Sequence, residues 1–418
     1  MEDRRRWIIV GLLFLAGGIS YLDRAAISVA APLIARDFGL APAQLGVVFS
    51  SFFIGYAPFC FLGGLAADRF GAKGVFLVSM TVWSLACGLT AAAANVAVLV
   101  AIRIVFGMGE GPYNATTVKM VSRWFPRQRQ AGAIGLTYAG QPLGAALAGP
   151  IIGTTSVVAG WRVSFLAVAA LGLLWVVCWR FAAKEQPDTP PLDPELPALS
   201  LVADTRPSLP VRTYLVRPTV LATALAFFGY AYVLYFFLSW FPSYLVSSQH
   251  LSLGRMSVIS MLPWTAGAAG LAIGGIACDA IYRRTGDAVL ARKSVLVTGL
   301  LIAGGCVALV SQVGDLPLIV TLMTVGVFFL YVTSSIYYAI VLDTVDAAAV
   351  GSVSGFINLT ANIAGLVAPT VTGFLVEWTG SFESAFVLTG AVAFTGALAV
   401  LVFVVRPRRP TAIEGVAA

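Results

Sequence analysis

Between two long apolar runs lies the stretch Gly63-Gly-Leu-Ala-Ala-Asp68-Arg69-Phe-Gly71-Ala-Lys73. Its first six residues recur as Gly274-Gly-Ile-Ala-Cys-Asp279, 211 residues further along. A second echo is displaced by 220 residues and links Gly135, Gly153 and Gly160 to Gly355, Gly373 and Gly380. Two echoes at nearly the same displacement, each in corresponding apolar runs, predict a chain built from two related halves.

The composition indicates a membrane protein. Of the 418 residues 59% are hydrophobic and 11% are charged, which is more apolar than soluble domains usually are. Apolar runs long enough to cross a bilayer are predicted at 7–35, 45–67, 74–94, 96–120, 131–158, 161–182, 214–241, 257–281, 294–311, 316–342, 350–377 and 382–405. We therefore expect an all-α membrane protein with twelve transmembrane helices in two pseudo-symmetric six-helix bundles.

Four regions follow from this pattern. Residues 1–183 are predicted to form the N-terminal six-helix bundle and residues 214–405 the C-terminal one. The segment 184–213 carries seven prolines, so it cannot form a spanning helix and is predicted to be a cytoplasmic linker. Residues 406–418 are predicted to be a cytoplasmic tail.

The distribution of positive charge predicts the orientation. Twenty-one of the 26 Lys and Arg residues lie at every second junction between apolar runs, starting from the N-terminus, and three lie at the other junctions. The positive-inside rule then puts both termini in the cytoplasm, which requires an even number of spans. This arrangement also argues against nucleic-acid binding, the usual reading of a net charge of +7.

The cysteines and the N-terminal run add little chemistry. The five cysteines lie inside apolar runs without paired spacing, so we expect no disulfide, no metal site and no cofactor. The first apolar run is too long for the core of a signal peptide and is interpreted as a retained span.

The loop at Asp68 resembles the signature loop of the major facilitator superfamily. The match is Gly64-Leu-Ala-Ala-Asp68-Arg69-Phe-Gly71-Ala-Lys73. We interpret it as a cytoplasmic latch, in which Asp68 meets a helix N-terminus or a basic partner in the other half while Arg69 and Lys73 hold the loop at the interface. Asp279 resembles a degenerate second copy. An ordinary positive-inside loop is the open alternative.

Within that superfamily the chain resembles the anion:cation symporter family, whose members carry hexuronates, aldonates, sialic acid and glutamate. The match lies in Tyr21-Leu-Asp23-Arg24-Ala25, in Arg103-Ile-Val-Phe-Gly107-Met-Gly109-Glu110-Gly111-Pro112 with Arg123-Trp-Phe-Pro126, in Gly140-Gln141 and in Gly355-Phe-Ile-Asn358. After Glu110 the family often has a small residue, Pro and an aromatic-Pro pair, whereas this chain has Gly111-Pro112-Tyr113-Asn114-Ala115. The resemblance implies a monomeric carrier of a small organic anion in the bacterial inner membrane.

Four ionisable residues lie inside apolar runs: Asp23, Arg24, Arg103 and Glu110. A charge at the centre of a spanning helix costs about 2.5 to 3.5 kcal/mol on insertion scales, so each needs a compensating environment. Asp23 and Arg24 are about 100° apart around a helix and must face different partners. Arg103 and Glu110 are two turns apart on one stripe, with Gly107 between them leaving room for a side chain or water.

The expected roles follow from the chemistry of these groups. Arg24 is expected to face the central cavity and bind a substrate carboxylate, because a guanidinium matches that group bidentately. Asp23 is expected to accept a proton, because burial favours the neutral form of a carboxyl. The resemblance implies that Glu110 is the second proton-linked carboxylate and Arg103 its nearby electrostatic partner. A static interhelical salt bridge is the alternative for Asp23 and Arg24.

Polar side chains inside five of the runs, the first, second, fifth, tenth and eleventh, are predicted to surround the substrate. They are Tyr21, Tyr56, Gln141, Ser335 and Asn358. An amide in a membrane span needs hydrogen-bond partners, and a polyol-bearing acid would supply them. Tyr21 and Tyr56 are equally consistent with helix packing or an interfacial belt.

The predicted function is proton-coupled symport, by alternating access, that imports a small organic anion such as a hexonate, hexuronate or aldarate. An enzyme is disfavoured because the one histidine, His250, lies in a predicted loop and no serine or cysteine stands beside a base. An ATP-driven pump is disfavoured because no phosphate-binding loop is present. An exchanger or uniporter for a mono- or dicarboxylate or an aromatic acid remains the alternative, although simple exchange needs no titrating carboxylate.

Overall fold

The computed structural model describes residues 2–187, 210–346 and 349–405, and every described element is a helix. Within these residues twelve helices are long and apolar enough to cross a membrane, which confirms the predicted fold class. In chain order, spans 1 to 12 are Arg4–Phe38, Pro42–Phe70, Ala72–Ala92, Val96–Trp124, Gly132–Ala159, Trp161–Ala182, Pro218–Ser247, Leu253–Thr285, Ala288–Val310, Leu316–Thr344, Val350–Thr379 and Glu383–Phe403. The predicted tail and most of the predicted linker lie outside the described residues, so the division into four regions stays a prediction.

Spans 4, 5 and 10 are interrupted along their length, and span 8 is divided near its start, at Ser260. Span 4 consists of the helices Val96–Glu110 and Tyr113–Trp124, because Pro112 has no N–H to continue the ladder of helical hydrogen bonds. Span 5 consists of shorter segments with a π-helical turn at Gly149–Gly153. Span 10 consists of Leu316–Val332 and Ile336–Thr344. The interruption of span 4 puts Glu110 at the end of a helical segment in the interior of the protein.

The two groups of six spans meet tightly at the end of the bundle that contains residues 38–42, which we call the far end. There the Ala43 N–H of span 2 donates to Glu377 Oε2 of span 11 at 3.0 Å. Thr370 of span 11 donates to the Ser50 hydroxyl of span 2 at 2.7 Å. A cavity of about 280 Å³, lined among others by Trp240 and Ser243, lies beside these contacts. Direct hydrogen bonds between the two groups therefore fasten the far end.

Gly46 permits this close approach of spans 2 and 11. A Cβ atom at Gly46 would lie 2.6 Å from the Pro369 carbonyl oxygen, closer than real Cβ contacts. We expect Gly46→Val to prevent closure of the far end, since the contact is with backbone that cannot step aside. Transport should fall about tenfold or more, while a cysteine introduced at Ser243, which is 8% exposed, should react faster with a maleimide in detergent.

Gly305→Val is the matched control for this prediction, because a Cβ atom there meets nothing within 4 Å. The measurement is made in a background without the native cysteines. Wild-type maleimide reactivity in Gly46→Val would contradict the assignment of Gly46 to far-end closure.

Candidate functional site

A buried ion pair joins spans 1 and 4. Arg24 Nε donates to Glu110 Oε1 at 2.7 Å, and the two side chains are 6% and 0% exposed. The Ser20 hydroxyl, one helical turn before Arg24, donates to the same oxygen. The other carboxylate oxygen of Glu110, Oε2, has no hydrogen-bond partner among the described residues. Glu110 thus uses one oxygen to hold Arg24 and leaves the other unpaired.

Aromatic rings enclose the Arg24 guanidinium. Its Cζ atom lies 5.2 Å from the ring centroid of Tyr21, 4.8 Å from that of Phe52 and 4.6 Å from that of Tyr56. Each such contact stabilises a cation by about 0.5 to 2 kcal/mol, the larger values applying away from water. The Tyr56 hydroxyl accepts a hydrogen bond from Asn114 Nδ2 at 3.2 Å. In this structure Tyr21 and Tyr56 therefore turn their ring faces toward Arg24.

Arg103 also lies over the Phe52 ring. Its Cζ atom is 5.2 Å from the centroid of Phe52 and 5.0 Å from that of Phe106, and its Nε has no hydrogen-bond partner among the described residues. Arg103 interacts with Glu110 only at longer range, and the direct ion pair of Glu110 is with Arg24 of span 1. The two guanidinium groups also share the lining of a cavity of about 20 Å³, opposite Tyr235 of span 7, which is room for about one water molecule.

Gly107 has a different role from the one expected. The sequence suggested that it leaves room for a side chain or water between Arg103 and Glu110. In the structure a Cβ atom at Gly107 would lie 2.1 Å from the Phe52 carbonyl oxygen. The space therefore belongs to the backbone of span 2, and this contact brings the Phe52 ring beside both guanidinium groups.

Asp23 faces away from Arg24, as two adjacent residues of one helix must. Its side chain is 2% exposed, and its Oδ1 lies 3.4 Å from the Cys87 Sγ atom of span 3. The nearby indole nitrogen of Trp83 has no hydrogen-bond partner among the described residues. Asp23 and Arg24 do not pair with each other. The interhelical salt bridge in the structure joins Arg24 to Glu110, and the choice between a static and a functional role for that pair stays a prediction.

The predicted amide groups lie on both sides of the molecule. Gln141 is half-buried against span 1, with its Cγ atom 3.5 Å from the position a Cβ atom would take at Gly17. Asn358 Nδ2 donates to the Tyr338 hydroxyl at 3.2 Å, and Asn362 Nδ2 donates to Asn358 Oδ1 at 2.9 Å. Ser335 is exposed at the interruption of span 10. The roles of these groups in substrate binding stay predictions.

The loop at Asp68 makes its described contacts within the first half. Asp68 Oδ1 accepts from Lys119 Nζ at 2.5 Å, so the expected basic partner in the other half is wrong for this structure. The start of span 3 is instead capped by Glu185, which accepts from the N–H groups of Ala72 and Lys73 at 2.7 Å each and pairs with Arg123. A carboxylate suits a helix N-terminus because of the free N–H groups and the helix dipole.

Two other residues of the predicted latch, Arg69 and Asp279, lie at the surface, and their role stays a prediction. Arg69 is exposed, with its Cζ atom 5.4 Å from the ring centroid of Phe70. Asp279 is exposed as well, and the ion pair of the corresponding region in the second half is formed by Arg292 and Asp343. This ion pair of the second half therefore does not involve Asp279, the residue that corresponds to Asp68 in the sequence motif.

Sequence reasoning missed Ser20, Phe52 and Glu185. Ser20 stands four residues before Arg24 and so shares its helix face, a spacing that could have revealed it. Phe52 is one of 26 phenylalanines and gave no signal of its own. Glu185 lies three residues after the end of span 6. An acidic residue there could have been sought as a cap for the N-terminus of span 3, which the alternation of spans puts on the same side of the membrane.

Comparisons with known proteins match the whole chain. The family model described as Major Facilitator Superfamily matches residues 13–290 and 281–417. The chain is 47% identical to a "Hexuronate transporter" of Bacillus subtilis (strain 168), over 97% of this chain and 96% of that protein. It is 36% identical to the "Probable sulfoacetate transporter SauU" of Cupriavidus necator, over 95% and 94%.

A solved structure shares the fold. It is the crystal structure of a bacterial homolog to the human lysosomal transporter Spinster in an inward-facing and unoccupied conformation, with a TM-score of 0.74 and 18% identity over 95% of both chains. At that identity the likeness concerns the fold alone.

Proposed function

Because this chain belongs to the major facilitator superfamily, we propose that it is a proton-coupled symporter that imports a sugar acid, a hexuronate in the first place, by alternating access. Its relatives carry transporter names, which confirms that the chain is a transporter rather than an enzyme and agrees with the anion:cation symporter family. The observation that carries the proposal is the buried contact between Arg24 and Glu110.

Coupling follows from competition for Arg24. An ionised Glu110 occupies the Arg24 guanidinium, so a substrate carboxylate has to displace it. Protonation of Glu110 removes the negative charge that holds Arg24 and frees the guanidinium fork for the substrate. By linkage, substrate bound to Arg24 favours the protonated form of Glu110. Proton and anion then enter together, because each strengthens the binding of the other.

Asp23 supplies a second proton site in this proposal. It lies in the same span as Arg24 but faces Cys87, so its protonation does not compete directly for the substrate. Arg103 interacts with Asp23 only weakly and at longer range. The buried cluster of two acids and two bases then gains one positive charge when Glu110 takes up a proton, and a monoanionic substrate neutralises it.

The substrate class rests on the relative and on the lining groups. A protein 47% identical over nearly the whole length is named a hexuronate transporter. A hexuronate joins one carboxylate to a hydroxylated ring, which suits a guanidinium enclosed by aromatic rings together with amide groups such as Gln141 and Asn358. The proposal includes a monomer in the bacterial inner membrane with both termini in the cytoplasm, as the charge distribution predicts.

Proton movement in proteoliposomes tests the proposal. We expect the external medium to become alkaline when D-glucuronate is added outside vesicles that contain the protein, since each imported anion removes a proton from that side. The change should disappear when D-glucuronate is replaced by D-glucose, which lacks the carboxylate. A pH-sensitive dye in the external medium gives the measurement.

The same vesicles distinguish proton symport from anion exchange, the second candidate function. Uptake that is unaffected by an imposed proton gradient, but is accelerated by D-glucuronate preloaded inside, would replace symport with anion exchange. Uptake of sulfoacetate without uptake of D-glucuronate would contradict the sugar-acid assignment and favour the chemistry named for the 36% identical relative.

A further inference from the structure

The interruption of span 10 has no proline to cause it. Its sequence is Leu330-Tyr-Val-Thr-Ser-Ser335. The N–H groups of Thr333 and Ser334 bond to the carbonyls of Leu330 and Tyr331, three residues back, at 3.1 Å each. This is a tighter turn than that of an α-helix. Irregular backbone at such a depth is tolerated where it is buried in protein or lines a cavity, and in transporters it is a pointer to the binding site.

Tyr331 stands at this turn with an unused hydroxyl group. Its side chain is 4% exposed, and the hydroxyl has no hydrogen-bond partner among the described residues. The ring is held in place by span 8: it packs edge-on against Trp264, with centroids 6.5 Å apart, and its Cδ2 atom would lie 2.8 Å from a Cβ atom at Gly267. A buried hydroxyl without a partner is costly, so this position calls for a partner that arrives from outside the chain.

The Tyr331 hydroxyl is within electrostatic range of the group that we assign to the substrate carboxylate. It interacts electrostatically with Tyr21 and Arg24 of span 1 and with Tyr235 of span 7. Tyr235 also lines the small cavity beside Arg24. Arg24 belongs to the first six spans and Tyr331 to the last six, so a ligand that reached both would connect the two halves.

A second unused hydroxyl lies on the same turn. The Oγ atom of Ser334 is buried and has no hydrogen-bond partner among the described residues. Ser334 is three positions after Tyr331, so the two side chains share one side of the span. The neighbouring Thr333 hydroxyl, by contrast, is bonded to the Leu330 carbonyl at 2.7 Å and to the Tyr337 hydroxyl at 3.0 Å.

We propose that the Tyr331 hydroxyl, assisted by Ser334, is a specificity-determining group that binds a ring hydroxyl of a polyhydroxylated carboxylate while Arg24 binds its carboxylate. This inference rests on the proposed function and adds to it the group that distinguishes a hydroxylated acid from a plain one. A site built to hydrogen-bond a substrate hydroxyl rejects the analogue that lacks it, because its own polar group is then left unpaired.

Binding to the purified full-length protein tests the assignment. Two probes are compared by calorimetry: D-glucuronate, and tetrahydropyran-2-carboxylate, which keeps the ring and the carboxylate without the hydroxyls. We expect Tyr331→Phe to weaken D-glucuronate binding about tenfold and to leave the affinity for the analogue within about twofold. Ser334→Ala should also lower the affinity for D-glucuronate relative to that for the analogue, by a smaller factor than Tyr331→Phe does.

Tyr337→Phe is the matched control, because it removes a hydroxyl from the same span that already bonds within the protein. It should leave the ratio of the two affinities unchanged. Unchanged D-glucuronate affinity in Tyr331→Phe, or an equal loss for both probes, would overturn the assignment while leaving the proposed function intact. A wild-type protein that binds the analogue as tightly as D-glucuronate would overturn the assignment as well, and one that binds neither probe would contradict the proposed function itself.

Discussion

Arg24→Ala is expected to weaken D-glucuronate binding about 100-fold or more. The guanidinium is the cation that we assign to the substrate carboxylate, and truncating one member of a buried, hydrogen-bonded charge pair costs about 2 to 5 kcal/mol. Arg24 is 6% exposed and surrounded by aromatic rings, so water cannot easily replace it. Calorimetry on the purified protein gives the dissociation constant.

Two variants give this experiment its controls. Arg24→Lys keeps the charge but loses the planar fork, so it should fall between wild type and Arg24→Ala. Arg162→Ala removes a half-exposed arginine that pairs with Asp37 at 3.0 Å and should bind as wild type does, since such surface pairs contribute little. Wild-type affinity in Arg24→Ala would remove Arg24 from the substrate site and with it the proposed competition with Glu110.

Glu110→Gln is expected to abolish accumulation of substrate against a gradient while sparing counterflow. Glutamine keeps the shape of the side chain and a hydrogen-bonding oxygen for Ser20, but it can neither take up nor release a proton. Arg24 then stays free of a competing carboxylate. We expect about a 100-fold loss of proton-driven accumulation in proteoliposomes, with exchange of labelled for unlabelled D-glucuronate retained within a few-fold.

The pH dependence of binding provides an independent readout. In the wild type, ionised Glu110 competes for Arg24, so the affinity for D-glucuronate should decline as the pH rises. In Glu110→Gln this decline should be absent, and the affinity at high pH should exceed that of the wild type. Glu383→Gln, which alters an exposed acid at the start of span 12, is the control and should retain the wild-type decline. Accumulation that survives in Glu110→Gln would refute the coupling role of this residue.

The alternating-access part of the proposal is tied to the far end. Glu377 and Thr370 of span 11 hold span 2 there through the Ala43 N–H and the Ser50 hydroxyl. These hydrogen bonds are few, and water can replace each of them when the two halves separate. At the opposite end, Asp68 pairs with Lys119 within the first six spans, and Arg123 of span 4 pairs with Glu185, two residues beyond the first predicted bundle. These pairs stiffen the first half as a unit and do not fasten it to the other.

Several elements of the site were accessible from the sequence. Asp23, Arg24, Arg103 and Glu110 stand out because charges in apolar runs are costly and therefore few. The 100° step between adjacent residues correctly separated Asp23 from Arg24, which have Cys87 and Glu110 as partners. What periodicity within one helix could not supply was the partner in another helix, since that depends on how far each span is displaced along its axis.

The contact between Arg24 and Glu110 illustrates this limit. Glu110 shares a stripe of span 4 with Arg103, and the family resemblance implied Arg103 as its electrostatic partner. The structure joins Glu110 to span 1 instead, because Gly107 lets the backbone of span 2 approach and inserts the Phe52 ring beside both arginines. The interhelical packing, rather than the spacing along one helix, selected the pair.

The sequence by itself determined the number of spans, the two-fold repeat and the identity of the buried charges, because these follow from hydropathy and from the cost of placing a charge in lipid. Only the tertiary structure decided which charge meets which, that Asp68 pairs within its own half, and that the Tyr331 hydroxyl is left without a partner. The physical reason is that hydropathy is a property of each residue alone, whereas a hydrogen bond between spans depends on the few ångströms that separate two helices after they have packed.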